Sequence, residues 1–308
     1  MNYIFILYFK LMNYLTLPEV NHKDFDYSSD EFYDFKEPLV IRGGCKDMDA
    51  YGKWNLDYVF DLVPDEMPAE IFNSKEDMKR SKGIDEYRMK FFESKFLKEN
   101  IFNTSPPFYY IANNFIPRDD LKFLDDLNNK SDLYRMPGWN GMSGYNLFIG
   151  YETYTNSHLH FFQDFLVNVI NGKKIFYMWH VNDNKFLHDE KYHQGHYNEI
   201  SFWDRDHSKM KIYKVELNGG DSLILPPWWY HAVYTPGFCI MVAKIYNKRH
   251  SPIQFYKSEY DINYLIKNIT NIYKLNNKKI KKKKYGYTKY IIIFIIICVI
   301  LFLLKNYD

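Results

Sequence analysis

The amino-acid sequence predicts a mainly β (α+β) protein with N-terminal helices and a C-terminal single transmembrane helix. The first observation is a set of short apolar, β-rich runs after residue 144, separated by Gly, Asn, Asp and Pro: YNLFIGY, DFLVNVI, KKIFYMW, KMKIYKVEL, DSLILP and FCIMVAKIY. Short strands with turn signals between them are typical of an antiparallel sandwich or barrel. The second is an uninterrupted apolar run near the C-terminus. A hydrophobic fraction of 46% also allows a sizeable core and excludes disorder over most of the chain.

The segment before residue 138 predicts helices and strands that flank the barrel. PLVIRG (38–43) is a β-rich run, and WNLDYVFDLV (54–63) has the pattern of an amphipathic helix. FYYIANNF (108–115) predicts a strand, and the following IPRDDLKFLDDL predicts a helix opened by Pro117. Residues 64–100 are polar and predict an irregular segment, in which the sequence pattern indicates at most some helix.

The apolar run from Tyr290 to Leu304 contains no charged or amide side chain. Its fifteen residues would form about 22 Å of helix, short of a hydrocarbon core of about 30 Å, but flanking Tyr and Lys side chains extend the span to residues 285–305. The Lys-rich cluster at 278–284 precedes the span, which favours a cytosolic location for the rest of the chain. We therefore expect a single-pass membrane anchor; a buried core helix is the alternative.

Charge is unevenly distributed along the chain. The formal net charge is +2, and residues 278–308 carry +7, which leaves −5 for residues 1–277. An acidic body argues against affinity based on phosphate contacts, so no direct DNA binding is expected. Cys45, Cys239 and Cys298 lie far apart in sequence, which excludes a disulfide framework and a thiolate zinc site.

Three histidines are candidate metal ligands. His158 and His160 are two residues apart, a spacing that places both imidazoles on one face of a strand. His231, on a distant segment, can complete a site whose remaining positions are open to substrate or water. Asp164 follows His158 by six residues, an even spacing that would also place it on the same face of a strand. Taken singly, a histidine on such a strand is more often an ordinary core or surface residue than a metal ligand.

Several segments together carry a family resemblance. They are PLVIRG, WNLDYVFDLV, NLFIG (146–150), TNSHLHFFQDFLVNVINGKKIFYMW (155–179) and LNGGDSLILPPWWYHAV (217–233). In this order they make the chain similar to the JmjC-type branch of the cupin superfamily, the iron(II)- and 2-oxoglutarate-dependent oxygenases built on a double-stranded β-helix (jelly roll). The resemblance covers roughly residues 18–250, and Gly-Asp-x-Leu-x-x-Pro-x-x-Trp-x-His is its most specific part.

The resemblance implies a cofactor set and residues to hold it. Fe(II) would be bound by His158 as the proximal and His231 as the distal ligand. Thr155 and Lys174 would hold the distal carboxylate of 2-oxoglutarate, for which a lysine supplies a point charge. The alternative for Lys174 is an exposed lysine at a strand end. Asp164 is implied either as a metal ligand, in the broader cupin pattern, or as a polar group of the cosubstrate pocket.

The chain departs from the family at the third ligand. Family members carry His-x-Asp/Glu, whereas His160 occupies the carboxylate position here and gives a ligand set of His158, His160 and His231.

The first hypothesis is a membrane-tethered, JmjC-like oxygenase that hydroxylates or demethylates a protein side chain, with a tRNA base as the second choice. The second is a three-His metal cupin that does not use 2-oxoglutarate. The third is an inactive JmjC-fold binding module. The matched motifs favour the first.

These interpretations divide the chain into four parts. Residues 1–137 hold the flanking N-terminal elements and residues 138–250 the β-barrel core. Residues 251–284 form a helical and Lys-rich linker, and residues 285–305 form the membrane anchor, with the catalytic domain facing the cytosol.

Overall fold

The computed structural model describes residues 14–25, 37–81, 88–117, 121–128, 144–160, 163–180, 201–227 and 229–247. All of them belong to one compact unit of the chain, residues 1–192 and 196–249. The expected linker (251–284) and membrane anchor (285–305) lie outside the described residues. Within those residues, none of the helices combines the length and apolarity needed to cross a bilayer.

The described residues form twelve strands and five α-helices, so the protein is mainly β as predicted. The strands are β1 (Glu19–Asn21), β2 (Leu39–Arg42), β3 (Glu66–Phe72), β4 (Met89–Glu93), β5 (Phe108–Pro117), β6 (Gly144–Tyr151), β7 (Tyr154–His158), β8 (Gln163–His180), β9 (Tyr213–Asn218), β10 (Ser222–Leu225), β11 (Trp229–Tyr234) and β12 (Phe238–Asn247). The helices are α1 (Asp49–Lys53), α2 (Leu56–Leu62), α3 (Lys75–Lys79), α4 (Ser94–Asn100) and α5 (Leu121–Asn128).

Strand β8 belongs to two groups of strands within one continuous sheet. These groups are called the larger face and the smaller face. Its first half pairs with β10 and β12, and its second half pairs with β9 and β11. The larger face has the order β1-β2-β10-β8-β12-β6-β5-β3-β4, and the smaller face has the order β7-β11-β8-β9. All pairs are antiparallel except β1 with β2. This arrangement is consistent with the expected jelly roll.

Gly172 marks the point where β8 passes from the larger face to the smaller one. The sequence predicts two separate strands here, DFLVNVI and KKIFYMW, and this prediction is wrong because β8 is a single strand of 18 residues. Gly172 has a φ of +84°, and a Cβ at this position would lie 2.0 Å from the carbonyl oxygen of Phe238. Only glycine fits both the backbone conformation and the close approach of β12.

The predictions for the N-terminal half are confirmed in part. The runs PLVIRG and WNLDYVFDLV contain β2 and α2, and FYYIANNF forms the first eight residues of β5. The irregular interpretation of residues 64–100 is wrong, since this stretch contains β3, α3, β4 and α4. Its strands were missed because β3 directs a charged residue, Glu70, towards the interior, which breaks the polar–apolar alternation. Pro117 ends β5 and does not open α5.

Two of the hydrophobic clusters in the described part of the chain lie on opposite sides of the larger face. One packs the helices against the sheet and includes Trp54, Val59, Leu97, Phe123, Leu147, Ile149 and Val242. The other lies between the two faces and includes Val167, Phe176, Met178, Val215, Leu225, Val233 and Met241. The second core continues into the candidate site.

The carboxylate of Asp126 anchors α5 to the neighbouring helices. It accepts hydrogen bonds from Trp54 Nε1 (3.0 Å), Tyr58 Oη (2.9 Å) and Lys53 Nζ (2.8 Å). Burial by itself would raise the pKa of Asp126, but these hydrogen bonds outweigh it and lower the pKa below its usual range.

Asp221 links two of the motifs that carry the family resemblance. Its carboxylate accepts hydrogen bonds from Arg42 Nη1 (2.7 Å), from the Gly43 amide (3.0 Å) and from the Asn218 amide (3.0 Å). The Arg-Gly of PLVIRG is thereby fixed to the Gly-Asp of GDSLILP, beside the pairing of β2 with β10. These motif residues maintain the architecture, and the chemistry lies elsewhere.

Candidate metal centre

Three histidine side chains converge at one end of the space between the two faces. His158, the last residue of β7, is the register partner of His231 on β11. The ring centroids of His158 and His231 lie 4.1 Å apart, and the centroid of His160 lies 5.3 Å from each. One nitrogen from each of the three rings lies within 4.8 Å of the others. The structure thus brings together the three ligands predicted from the sequence.

His160 reaches this cluster from beyond the end of the strand. The sequence predicts His158 and His160 on one strand, but β7 ends at His158. Leu159 between them is fully buried, so the side chains still alternate beyond the end of β7. The His160 ring stacks on Phe165, with 3.8 Å between the ring centroids. That stacking orients the imidazole that stands where the family has a carboxylate.

Main-chain carbonyls fix the tautomers of the two paired histidines. His158 Nδ1 lies 3.0 Å from the carbonyl oxygen of Asn156, and His231 Nδ1 lies 3.3 Å from that of Trp229. A carbonyl oxygen can only accept, so each Nδ1 carries the proton and each Nε2 carries a lone pair. Metal-binding histidines are commonly held by this kind of hydrogen bond.

The environment of His231 keeps its imidazole neutral. His231 is 4% exposed, and burial lowers its pKa well below the usual value, with the neighbouring His158 adding to the effect. Neutral imidazole is the form that binds metals. Nitrogens that share one divalent ion each lie about 2.0–2.1 Å from it and so at most about 4.2 Å from one another, slightly less than the 4.8 Å within which these three nitrogens lie. The donor set therefore fits Fe(II) or another divalent transition metal.

The histidines open into a pocket with a mixed lining. The polar side chains are Glu70, Ser81, Tyr110, Tyr154, Thr155, Asn156, His158, His160, Lys174 and His231, and the others are Ala112, Phe148, Phe165, Val167, Phe176, Leu225, Val233, Met241 and Ala243. Apolar walls with a few convergent polar groups are typical of small-molecule sites.

Lys174 is the buried cation of this pocket. It is 1% exposed, so the alternative of an exposed strand-end lysine is wrong. Its Nζ lies 3.2 Å from Tyr110 Oη and over the rings of Tyr110 and Phe148, at 5.3 and 5.9 Å from their centroids. None of these partners carries a negative charge. Thr155 is half-buried in the lining of the same pocket.

Asp164 is the remaining predicted site residue, and Trp229 and Tyr230 are the aromatic residues next to His231 on β11. Asp164 lies on β8 opposite Tyr246, but its side chain is outside the described part of the structure, so both of its roles stay predictions. Trp229 belongs to the core between the faces, and Tyr230 stacks on Trp179 with 5.6 Å between centroids. Neither belongs to the pocket lining, which makes them packing residues.

Sequence reasoning missed five polar residues of the pocket: Glu70, Ser81, Tyr110, Tyr154 and Asn156. The sequence places Tyr110 on a strand, Glu70 in a segment without a clear pattern, and Asn156 in the metal segment, and it indicates no site role for any of them. The Asn156 side chain accepts hydrogen bonds from the amides of Ser157 and Phe202, and so connects β7 to the segment after residue 200. Only knowledge of the fold, which places β3 and β5 beside the site, could have identified Glu70 and Tyr110.

Comparison with known proteins gives two findings. A family model described as a cupin-like domain matches residues 27–251, a range that contains every residue of the pocket. A JmjC domain-containing histone demethylation protein 1 from Emericella nidulans is 27% identical over 121 residues. That match covers 34% of this chain and 8% of the Emericella protein.

Proposed function

Since the chain belongs to the cupin-like domain family, we propose that it is a JmjC-type oxygenase that depends on Fe(II) and 2-oxoglutarate and oxidises a side chain of a protein substrate. The observation that carries the proposal is the presence, in one pocket, of three converging imidazoles and a buried lysine. The similarity to a histone demethylation protein favours a protein substrate over a tRNA base.

The three histidines would hold the metal through nitrogens that carry lone pairs. With three protein ligands, coordination positions remain for a bidentate cosubstrate and for oxygen. When bound, Fe(II) and 2-oxoglutarate would supply the electrons that activate dioxygen, the oxidant that delivers one oxygen atom to an unactivated carbon and the other to succinate. The chain itself holds the His158 and His231 rings in place through the carbonyls of Asn156 and Trp229.

Lys174 would pair with the far carboxylate of the cosubstrate. A buried ammonium is costly unless it is paired, and its contacts with Tyr110 and Phe148 do not neutralise it. A carboxylate in the pocket supplies that pairing, with the Tyr110 hydroxyl and the Thr155 hydroxyl as further hydrogen-bond donors. The apolar residues around Lys174 exclude water and strengthen the ion pair.

The test is an anaerobic titration of the full chain with Fe(II) and then 2-oxoglutarate, followed by visible absorption. We expect a charge-transfer band from the chelate in the wild-type protein, and no band in His231→Ala. His22→Ala is the matched control, because His22 lies outside the pocket and pairs with Asp47. Absence of a band in the wild-type protein at saturating Fe(II) and 2-oxoglutarate would contradict the proposal.

A three-His metal cupin that does not use 2-oxoglutarate is the second candidate. It is favoured by His160, which replaces the negative ligand of the family with a neutral one and leaves the bound metal more positively charged. His160→Asp separates the two candidates. If the framework is that of a 2-oxoglutarate oxygenase, the substitution raises succinate formation; if both forms bind metal and neither consumes 2-oxoglutarate, the second candidate is correct.

We also propose that residues 285–305 attach the protein to a membrane, with the catalytic domain on the cytosolic side. The support is the uncharged run Tyr290–Leu304 behind a Lys-rich cluster. Charged residues at the centre of a span cost about 2.5–3.5 kcal/mol each. The double variant Ile295→Asp, Ile297→Asp should therefore move the protein from the carbonate-resistant membrane fraction to the supernatant. Release of the wild-type protein into the supernatant on carbonate extraction would contradict this attachment.

A further inference from the structure

We infer that Asn156 is a positioning residue for the metal ligand His158, and that His207 supports Asn156 from a distant segment through Phe202, an inference that rests on the metal centre of the proposed function. Asn156 is 1% exposed and belongs to the lining of the pocket, whereas His207 is fully buried outside that lining. Hydrogen bonds lead from His207 through Phe202 and Asn156 to the His158 ring.

A β-bulge interrupts β7 next to the histidine cluster. The register of β7 with β11 shifts between Thr155 and His158, where two residues of β7 oppose the single Ala232 of β11. In a regular strand, residues three apart point to opposite faces, whereas Thr155 and His158 both line the pocket. Because a bulge disrupts the main-chain ladder locally, side chains contribute to the orientation of the peptide group between Asn156 and Ser157, here called the bulge peptide.

The Asn156 side chain fixes the orientation of the bulge peptide. Its Oδ1 accepts a hydrogen bond of 2.8 Å from the Ser157 amide, and the carbonyl oxygen of the same peptide group lies 3.0 Å from His158 Nδ1. Since a trans peptide group is planar, holding its N–H in one direction also holds its C=O in the opposite direction. Asn156 thereby orients the carbonyl that leaves the lone pair of His158 on Nε2, where a metal can bind it.

A second amide holds the Asn156 side chain itself. Oδ1 also accepts a hydrogen bond of 2.9 Å from the amide of Phe202, the first residue of the short 3₁₀ helix Phe202–Asp204. The carbonyl oxygen of Phe202 lies 2.6 Å from His207 Nε2, and the two rings stack with 4.2 Å between their centroids. A carbonyl oxygen can only accept, so Nε2 carries the proton of His207. The segment from Phe202 to His207 is thereby joined to the bulge of β7.

The donor at Nε2 distinguishes His207 from an apolar side chain in the same place. His207 Nδ1 is buried and has no hydrogen-bond partner in the described part of the chain, which destabilises the fold. An apolar side chain would avoid this loss but could not donate to the carbonyl of Phe202. Burial also lowers the pKa of His207 to about 4, so the ring is neutral at pH 7 and has one donor.

The test is a Co(II) titration of the full chain, followed by visible absorption, on variants of both residues. Asn156→Leu removes the acceptor at nearly constant volume, whereas Asn156→Asp keeps oxygens that can accept from both amides. Loss of a contact that orients a metal-binding histidine typically weakens metal binding by about 10- to 100-fold. We therefore expect the dissociation constant to rise at least about 10-fold in Asn156→Leu and no more than about threefold in Asn156→Asp.

Variants of His207 test the distant end of the path. His207→Leu should raise the dissociation constant by about threefold or more, and His207→Gln, whose amide can donate in place of Nε2, should restore it. Asn168→Leu is the matched control, because Asn168 is fully buried on β8, accepts a hydrogen bond from Ser222 Oγ and lies outside the pocket lining. It should lower stability, measured by chemical denaturation, and leave the dissociation constant unchanged.

Two outcomes would overturn the role of Asn156: an unchanged dissociation constant in Asn156→Leu, or an equal rise in Asn168→Leu. A merely structural role would lower the stability of both leucine variants without separating their metal affinities. An unchanged constant in His207→Leu would refute the role of His207, and this variant against His207→Gln carries the test if Asn156→Leu does not fold.

The charge-transfer band with Fe(II) and 2-oxoglutarate is recorded on the same variants. The expected differences in Co(II) affinity without a band in the wild-type protein would refute the proposed cosubstrate and support the role of Asn156. A band in the wild-type protein with equal Co(II) affinities in all variants would refute the positioning role alone. Failure of the wild-type protein to bind Co(II) would refute the metal centre and the positioning role together.

Discussion

Replacing Lys174 with methionine should separate its role in binding from any role in stability. The substitution keeps an unbranched side chain in a fully buried position and removes the ammonium. In the cosubstrate-free chain, the loss is one hydrogen bond to Tyr110 and two cation–π contacts, together about 1–3 kcal/mol. The gain is the removal of a buried charge, whose desolvation costs several kcal/mol. We therefore expect Lys174→Met to be at least as stable as the wild-type protein.

The same substitution should lower the affinity for 2-oxoglutarate. A hydrogen bond between charged groups contributes about 1.5–3 kcal/mol, which corresponds to a roughly 10- to 150-fold rise in the dissociation constant. Anaerobic titration of the chelate band measures this constant, and chemical denaturation measures stability. Lys173→Met is the matched control, because the adjacent Lys173 is partly exposed and pairs with Glu216. A variant that is destabilised by more than about 3 kcal/mol and keeps its cosubstrate affinity would refute the reasoning.

Three further predictions concern stability and are measured by chemical denaturation. Gly172→Ala should lower the free energy of unfolding by more than about 3 kcal/mol, because it adds a main-chain clash to an unfavourable φ. Gly237, with a φ of +80°, has no neighbour within 4 Å of an added Cβ, so Gly237→Ala should lower it by only about 1–2 kcal/mol. Equal losses in the two variants would contradict this. Burial lowers the pKa of His207 to about 4, so its neutral form favours the fold. Stability should fall by about 3 kcal/mol as the pH drops from 6.5 to 4, and His207→Gln should flatten this part of the profile, whereas an unchanged slope would contradict the assignment. Asp126→Asn should lower the free energy of unfolding by about 1–3 kcal/mol at pH 7. Because the pKa of Asp126 is lowered in the folded state, its carboxylate stabilises the fold above pH 4, and this contribution is lost as the pH falls further. A variant as stable as the wild-type protein at pH 7 would contradict this.

The sequence contained most of the information about the family and the metal ligands. Membership of the cupin-like family is confirmed, and His158, His160 and His231 come together as predicted. These predictions succeeded because they depended on local features: two histidines at a fixed spacing, and a motif that ends in a third. Metal binding itself stays a prediction.

The features that the sequence did not reveal depend on contacts between distant strands. The single strand β8 was divided in two because Gly172 resembles a turn, whereas its positive φ is accommodated within a strand that changes partners. Glu70 and Tyr110 belong to strands on the far side of the larger face, and nothing in their local sequence indicates that they line the pocket. The burial of Lys174 also could not be inferred, because nothing in the sequence distinguishes it from the partly exposed Lys173 beside it.

The central claim is that His158, His160 and His231 form one metal site, and a Co(II) titration of the full chain tests it most directly. Visible d–d absorption reports both the stoichiometry and the environment of the bound ion. The account predicts one equivalent of Co(II) per chain, with binding lost in His231→Ala and retained in His22→Ala. Stoichiometric binding that survives the combined substitution of the three histidines, or no binding to the wild-type protein at neutral pH, would contradict it.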